Sequence, residues 1–558
     1  MQGDFRELTV VPLGGLGEIG RNMTVIGYGD DLVIIDSGIL FPSEQYFGVD
    51  FIIPDFSYVA DNIEKIKAVL ITHGHEDHIG AVPYLLREFD LPVYAPPLAK
   101  GLLGPKMKEK APSKIDNLHA VNVGNPMTFG SLEVEFFPVS HSIPDATGIA
   151  IKTPLGVVVH TGDFKIDHTP VDGHPSDFRA LARLAPEGAF LLLSDSTYAE
   201  TEGYTPSERI VAESLDNVIR EAQGRVLVAT FASLISRIQM AIDSGSRYGR
   251  KVAILGRSMV NNVRIALDMG YLNDPNNVLI DIDRANRLDP SQVIVMTTGS
   301  QGEPTSALVR MSNRAHRQVK IGRGDTVIIS ASPIPGNERL VTRTVNNLML
   351  LGAVVFYDKN ATVHVHGHAS KEELKSVISI LKPQYFVPIH GERRHLSAHA
   401  VIARDLGVEL ENVFVLQDGD VLSIGRESGR VTDHVSADYV FVSGKHVWRA
   451  TGKIFDERGS LASGGVVFLQ VHIQGEGLNK RSSVETISKG FTEDPHELEY
   501  LEEASYLVEK DINRQLEMGD EKFLTRDGIA KIAREKFANF LYNETGKRPT
   551  VMPSVVVS

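Results

Sequence analysis

The chain has 558 residues, with 71 Asp or Glu against 57 Lys or Arg, a formal net charge of −14, 42% hydrophobic residues and no cysteine. Such a length accommodates about three to four domains of ordinary size. Without cysteine there is no disulfide framework, thiolate metal ligand, iron–sulfur cluster or Cys nucleophile, so any metal must be held by nitrogen and oxygen.

Met1 to Glu7 lacks the basic start and apolar run of a secretory signal, and no 18 apolar residues run together, so the expected compartment is the cytoplasm. From Leu8 to about Thr161, short β-branched runs are separated by Gly, Pro and Asp. Strands are predicted at Leu8 to Val11, Met23 to Ile26, Leu32 to Ile35, Ala68 to Ile71, Leu132 to Phe137 and Gly156 to His160. A helix is predicted from Gly80 to Phe89. After Leu191-Leu192-Leu193-Ser194-Asp195 the rhythm changes to strands alternating with amphipathic helices, the mark of a parallel sheet. Ser207 to Glu221 and Ser236 to Ser244 are predicted helices; Arg225 to Thr230 and Lys251 to Leu255 are predicted strands. The simplest organisation is a domain inserted between residues 196 and 350. A third, C-terminal α/β domain is expected from about residue 455, with a strand over Gly465 to Ile473 and helices over Pro495 to Leu516 and Thr525 to Tyr542.

Gly15-Leu16-Gly17-Glu18-Ile19-Gly20 fits G-x-G-x-x-G, with Asp36 some way beyond. A dinucleotide site needs a helix opening at the third glycine, whereas Arg21 to Ile26 reads as strand. The motif is therefore expected to be a glycine-rich turn. His73-Gly74-His75-Glu76-Asp77-His78 follows the apolar run Ala68 to Ile71 and offers four metal ligands in six residues on a strand-to-helix loop. A polar loop capping the next helix is the plainer alternative. Clustered imidazole and carboxylate suit Zn²⁺ or Mn²⁺ with coordination positions left open. Further ligands are expected just past later strands, where His141 follows Phe136-Phe137-Pro138-Val139-Ser140 and Asp163 ends Thr161-Gly162-Asp163.

H-x-H-x-D-H, then a lone His, then T-G-D after a strand, resembles the metallo-β-lactamase hydrolase superfamily. The resemblance implies that His73, His75 and His141 hold one metal, that Asp77 and His78 hold a second, and that Asp163 bridges them. It implies two-metal hydrolysis, in which an activated hydroxide attacks an electrophile while both cations stabilise the developing charge. Three more segments resemble the signature motifs of the β-CASP nucleases, the nucleic-acid branch of that superfamily: Leu193 to Thr197, His364-Val365-His366-Gly367-His368-Ala369, and Val387-Pro388-Ile389-His390-Gly391-Glu392. Thr230-Phe231-Ala232-Ser233 is similar to that branch's substrate-contacting loop. With the C-terminal domain included, the likeness is to the bacterial ribonuclease J family.

That resemblance implies a metallo-β-lactamase αββα sandwich (1–195 and 351–440) carrying an inserted β-CASP α/β domain (196–350), a linker (441–454) and a small C-terminal α/β domain (455–558). Asp195 then supports the site, His368 gives a proton to the leaving oxygen, and His390 completes the second metal. Asp77, His368 and Asp195 are the implied catalytic residues. Phe231, Ala232 and Ser233, with His364, Val365, His366, Gly367 and His368, form the implied substrate surface. His366 stands where the family usually has Ser. Zn²⁺ is the first choice for the two cations and Mn²⁺ the alternative.

The implied activity is endonucleolytic and 5′-to-3′ exonucleolytic cleavage of single-stranded RNA, preferably with a 5′ monophosphate, in RNA maturation and mRNA decay. A small-molecule hydrolase acting on lactones or thioesters would share His73 to Asp163 but needs neither the insert nor His368, and a degenerate RNA-binding scaffold would not need its ligands intact. Despite the acidic balance, Lys106, Lys108, Lys110 and Lys114, and Arg310, Arg314, Arg317, Lys320 and Arg323, form local basic strips able to meet phosphates. Tyr198 and Phe231 are the expected base-stacking partners. The apolar helix faces of the C-terminal domain make it the expected surface for a dimer or tetramer, and other RNA-decay proteins are expected partners.

Overall fold

In each of two sheets, successive strand residues turn to opposite faces, and here both faces are apolar, so each sheet must be covered on both sides. Along Leu8–Gly14, Leu8 and Val10 enter one core cluster, while Val11 and Leu13 enter another. Leu191 and Leu193 face one cluster and Leu192 a third. The shared cluster lies between the sheets, where Val10, Ile26, Val33 and Leu70 meet Phe136, Ile149, Val158 and Val387. The helices Val82–Glu88 and Pro97–Lys110 cover the outer face of one sheet, and Lys371–Leu381 and Arg393–Asp405 that of the other. This is an αββα sandwich, stabilised by about 1.5–3 kcal/mol for each large apolar side chain fully buried.

The computed structural model describes residues 6–43, 45–334, 336–449, 452–475, 480–518 and 525–557. Met1 to Phe5, part of the N-terminal segment expected to lack a signal, lie outside the described residues. Two compact units divide the chain. One comprises residues 1–41 and 51–442, the other 42–50 and 443–558.

In the first unit, an eight-stranded sheet runs in the order Gly429–His434, Asp420–Ile424, Leu8–Gly14, Met23–Tyr28, Asp31–Ile35, Ile66–Leu70, Val93–Ala95 and Leu118–Ala120. A six-stranded sheet runs Tyr385–Ile389, Leu191–Asp195, Gly156–His160, Thr147–Thr153, Leu132–Pro138 and Met127–Phe129. The parallel pair Leu191–Asp195 and Tyr385–Ile389 closes the gap made by the insert and sets Asp195 opposite Ile389. Between these strands the chain builds a six-stranded sheet, in the order Leu279–Ile280, Lys251–Leu255, Val293–Thr297, Val226–Ala229, Thr326–Ile329 and Val354–Phe356. Every neighbouring pair in it is parallel. Its edge strand Val354–Phe356 carries the insert's sheet past residue 350.

The expected helix over Gly80 to Phe89 is present as Val82–Glu88, and a separate piece, Glu76–Ile79, precedes it. Asp77 and His78 therefore sit on a single helical turn, not on a loop.

The second unit pairs Val466–Gln474 antiparallel with Arg481–Lys489 and parallel with Thr550–Val557. Val467, Leu469, Val471 and Ile473 pack against Val508, Ile512, Phe537 and Leu541 of the helices Pro495–Met518 and Arg526–Thr545. Among the described residues no helix is long and apolar enough to cross a membrane.

Candidate metal centre

Strand ends deliver the site. Asp36 follows Asp31–Ile35, Thr72 and His73 follow Ile66–Leu70, Asp163 follows Gly156–His160, Asp195 ends Leu191–Asp195, and His390 follows Tyr385–Ile389. Where buried strands stop, the next side chains emerge at a common edge.

Three overlapping clusters of ligand atoms form there. The first is His73, His75, His141 and Asp163; the second Asp77, His78, Asp163 and His390; the third Asp163, Asp195, His368 and His390. In the first, His75 Nδ1 is 3.1 Å from both His73 Nε2 and His141 Nε2. Asp163 Oδ2 is 3.8 Å from His73 Nε2 and 3.9 Å from His141 Nε2. In the second, His78 Nε2 is 3.1 Å from Asp163 Oδ2 and 3.5 Å from Asp77 Oδ2. His390 reaches Asp163 Oδ1 at 3.0 Å through Nδ1 and Asp77 Oδ2 at 3.5 Å through Nε2.

These residues fit a pair of divalent cations. Tetrahedral bonds of about 2.0–2.2 Å set ligand atoms about 3.3–3.6 Å apart, and the separations here, 3.0 to 3.9 Å, bracket that spacing. One proton cannot satisfy three imidazole nitrogens meeting at His75 Nδ1, whereas a cation can. His390 Nε2 is buried with no hydrogen-bond partner, an orphan that a cation would satisfy.

Electrostatics divides the imidazoles. Burial, aided by neighbouring imidazoles, holds His73 and His141 well below the ordinary histidine value, and burial takes His75 down to about 4. All three are therefore neutral, the form that binds metal. Against the cost of burial, Asp163, Asp77 and Asp36 raise His78 well above its usual value, and Asp163 foremost does the same for His390. Burial opposes ionisation of Asp163, but His390 and His78 hold it well below the carboxylate range.

Each ring is aimed from its other nitrogen or by its backbone. His73 Nδ1 is 3.0 Å from Thr72 Oγ1, His78 Nδ1 is 2.7 Å from Asp36 Oδ2, and His141 Nδ1 donates to the Gly367 carbonyl at 2.7 Å. Asp36, at φ 60°, also accepts from Thr72 N and Thr72 Oγ1, each at 2.8 Å. His390 has φ 52°, a left-handed conformation costly for a residue with a Cβ.

Gly367 has a steric reason to be glycine. A Cβ there would lie 2.7 Å from His141 Cε1 and 2.8 Å from Ser142 Cβ. Gly367→Ala is expected to push His141 aside and weaken metal binding about 10–100-fold, measured by metal titration of the metal-free protein.

His368 Nδ1 donates to Asp195 Oδ2 at 2.8 Å, while Thr197 N and Oγ1 donate to Asp195 Oδ1 at 2.9 and 2.7 Å. His366 lies flat on Tyr198, with centroids 3.6 Å apart and planes 5° apart, so one face of Tyr198 is already covered. Val365 and Gly367 are buried, and the Nδ1 of His364 is buried without a hydrogen-bond partner. Phe231, Ala232 and Ser233 are half-buried in the turn after Val226–Ala229 and belong to none of the three clusters. Their carbonyls accept from Leu234 N, Asn262 Nδ2 and Ile235 N.

Of the two basic strips, the first is largely neutralised: Lys106, Lys110 and Lys114 pair with Glu76, Glu109 and Asp90. Asp325, the acid next to the strip Arg310 to Arg323 in sequence, pairs instead with Arg225.

Sequence reasoning did not single out Asp36 as an anchor for His78 and Thr72, or Glu373. The Glu373 carboxylate accepts from Ile166 N, Thr205 N and Ser370 N, at 2.7, 2.7 and 2.8 Å, tying the segment after Asp163 to the start of the insert and to the His368 loop. Ser370 and Glu373 form a capping box on the helix Lys371–Leu381, and that S-x-x-E spacing was the available signal.

Known proteins converge on the same description. Residues 16–209 match the metallo-beta-lactamase superfamily, 223–348 the ribonuclease J beta-CASP domain, 357–416 the Zn-dependent metallo-hydrolase RNA specificity domain, and 453–558 the ribonuclease J C-terminal domain. The chain is 38% identical to Ribonuclease J 1 of Streptococcus pyogenes serotype M3, covering 99% of this chain and 98% of that protein. Ribonuclease J of Thermus thermophilus is 39% identical, covering 98% and 95%, and Ribonuclease J2 of Bacillus subtilis 35%, covering 98% of each. A crystal structure of a protein of unknown function from Enterococcus faecalis V583 shares the fold at 15% identity and a TM-score of 0.52, covering 75% of this chain and all of that one. With full-length relatives at this identity, and a sandwich whose strand ends gather the imidazoles and carboxylates of the superfamily motifs, the chain belongs to the ribonuclease J family.

Proposed function

We propose that this chain is a metal-dependent ribonuclease that cuts single-stranded RNA internally and also removes nucleotides in the 5′-to-3′ direction from a 5′ monophosphate end. One observation carries the reading: two ligand clusters share Asp163, and the His368 imidazole held by Asp195 stands beside them. The printed names of the relatives and the β-CASP and RNA-specificity matches support RNA as the substrate and leave the lactone or thioester alternative without support.

In this reading His73, His75, His141 and Asp163 hold one cation, and Asp77, His78, His390 and Asp163 the other, Zn²⁺ by preference for the imidazole-rich set and Mn²⁺ as the alternative. When bound, the two cations supply Lewis acidity and charge neutralisation at the scissile phosphate. The chain's own residues do the rest. His368 delivers a proton to the departing oxygen. Asp195 fixes the ring's tautomer and keeps it charged. Ser233 and the His364 to His368 loop hold the terminal phosphate of an RNA end, and the Arg310 to Arg323 strip attracts the backbone. The proposed setting is the cytoplasm, in RNA maturation and mRNA decay, as a dimer or tetramer joined through the C-terminal domain and alongside other RNA-decay proteins.

The direct test is end-labelled RNA bearing a 5′ hydroxyl, monophosphate or triphosphate, incubated after chelation and after re-addition of single metals. Activity should vanish with chelation and return with Zn²⁺ or Mn²⁺, and mononucleotide release should be fastest from the monophosphate. Turnover of lactones or thioesters with no RNA cleavage would overturn the proposal. Ser233→Ala is expected to slow mononucleotide release more than internal cutting, by about tenfold for a lost hydrogen bond to a charged phosphate. Equal losses in both modes would contradict a terminal-phosphate role.

A further inference from the structure

The glycine-rich segment Gly14 to Gly20, which takes no part in the chemistry above, lies against the second ligand cluster. Its backbone pairs with the residue after His390: Gly17 N donates to the Gly391 carbonyl at 2.9 Å, and Gly391 N donates to Gly15 O at 3.3 Å. Two residues past the loop, Asn22 N and Nδ2 both donate to the Asp77 carbonyl, at 3.0 and 3.1 Å, and Nδ2 is 3.2 Å from His78 Nε2. One short segment thus touches both halves of a cluster whose members come from chain positions more than 300 residues apart. Glycine is required for so close a turn, since a Cβ on Gly14 would lie 2.0 Å from the Arg21 carbonyl oxygen.

Four of the seven residues from Gly14 to Gly20 are glycine, which carries the largest backbone entropy to lose. Arg21 compensates. It is 2% exposed and adopts φ 56°. Its Nε donates to Glu18 at 2.7 Å, NH2 to Asp418 Oδ2 at 2.8 Å and NH1 to the Ala437 carbonyl at 2.9 Å. The guanidinium lies 4.7 Å over the Tyr439 ring, and the Tyr439 hydroxyl donates to Glu18. Asp418 Oδ1 in turn accepts from Leu16 N at 3.0 Å, so the clamp grips the loop at Leu16, Glu18 and Arg21.

We propose that Arg21, through Glu18 and Asp418, is a positioning residue for the second cation: it holds the glycine loop in the shape that braces Gly391 and Asp77, and thereby sets His390 against Asp77 and His78. The planar guanidinium fork meets two carboxylates and a carbonyl in fixed directions, which the ammonium of Lys can reproduce only in part. The inference rests on the two-cation reading above.

The test uses the full chain with Arg21→Gln, Arg21→Lys and Asp418→Asn, stripped of metal and titrated with Zn²⁺ or Mn²⁺ against a chromophoric chelator. Wild type should bind two equivalents. In Arg21→Gln the second equivalent should weaken about 10–100-fold while the first stays within about twofold, with Arg21→Lys between the two. On RNA, kcat should fall while KM holds. Asp418→Asn keeps the shape and should reproduce the weakening even where Arg21→Gln fails to fold. Unchanged affinity for both equivalents, or an equal loss at both, would overturn the role. Wild type binding fewer than two equivalents would instead remove the two-cation reading and this inference with it.

Discussion

Asp163→Ala is expected to reduce RNA cleavage by more than about 10⁴-fold, the scale on which removal of one member of a catalytic unit acts, while RNA affinity stays within about tenfold. The asymmetry follows from position. Asp163 belongs to all three ligand clusters, is 2% exposed, and turns one oxygen toward His73, His141 and His78 and the other toward His390. Its loss leaves both cation positions without their shared carboxylate and removes the charge that raises His78 and His390. In the proposed reading, binding of the RNA backbone draws instead on cations spread along the insert, such as Arg310, Arg314 and Arg317. Cleavage of labelled RNA, filter binding and metal content by elemental analysis separate the effects. A variant that loses RNA affinity in step with cleavage, or keeps two bound metals, would contradict the shared-ligand role.

Side chains that follow apolar strands were legible without coordinates, because a buried strand announces itself by its run of Val, Ile and Leu and the next polar residue must emerge at its end. His73, His141, Asp163 and Asp195 all obey that rule. So does the parallel sheet of the insert, whose strands and helices alternate plainly. Pairing across long gaps was not legible from pattern: nothing local to Leu191–Asp195 says that Tyr385–Ile389 is its neighbour, and only the resemblance connected His390 to the loop at His73. The anchors escaped for a related reason. Asp36 reads as an ordinary turn residue until its carboxylate is seen to accept from Thr72 and to face His78. Lysines in a row read as a basic strip until Glu76 and Asp90 are seen to neutralise them. Periodicity reports which face of an element is buried. It is silent about which charges meet across elements.

His368→Ala is expected to lower kcat on RNA by about 10²–10⁴-fold, the usual contribution of a positioned general acid, with metal content unchanged. Against the cost of burial, Asp195 first and Asp163 next raise His368 above the ordinary histidine value. The acid must be protonated to act, so activity that depends on it is full at low pH and declines as pH rises through the elevated value. Asp195→Asn removes the largest stabilising charge and should draw that alkaline decline to lower pH while the acid limb stays in place. In the reverse direction, His368 and His390 keep Asp195 ionised far below the usual carboxylate range, despite its burial, so the alkaline decline reports His368 and not Asp195. A substrate that needs no proton supplies the decisive comparison. A phosphodiester with a nitrophenolate leaving group departs as a stable anion, so His368→Ala should cleave it nearly as fast as the unaltered chain while failing on RNA. An equal deficit on both substrates would mean that His368 orders the site and transfers no proton.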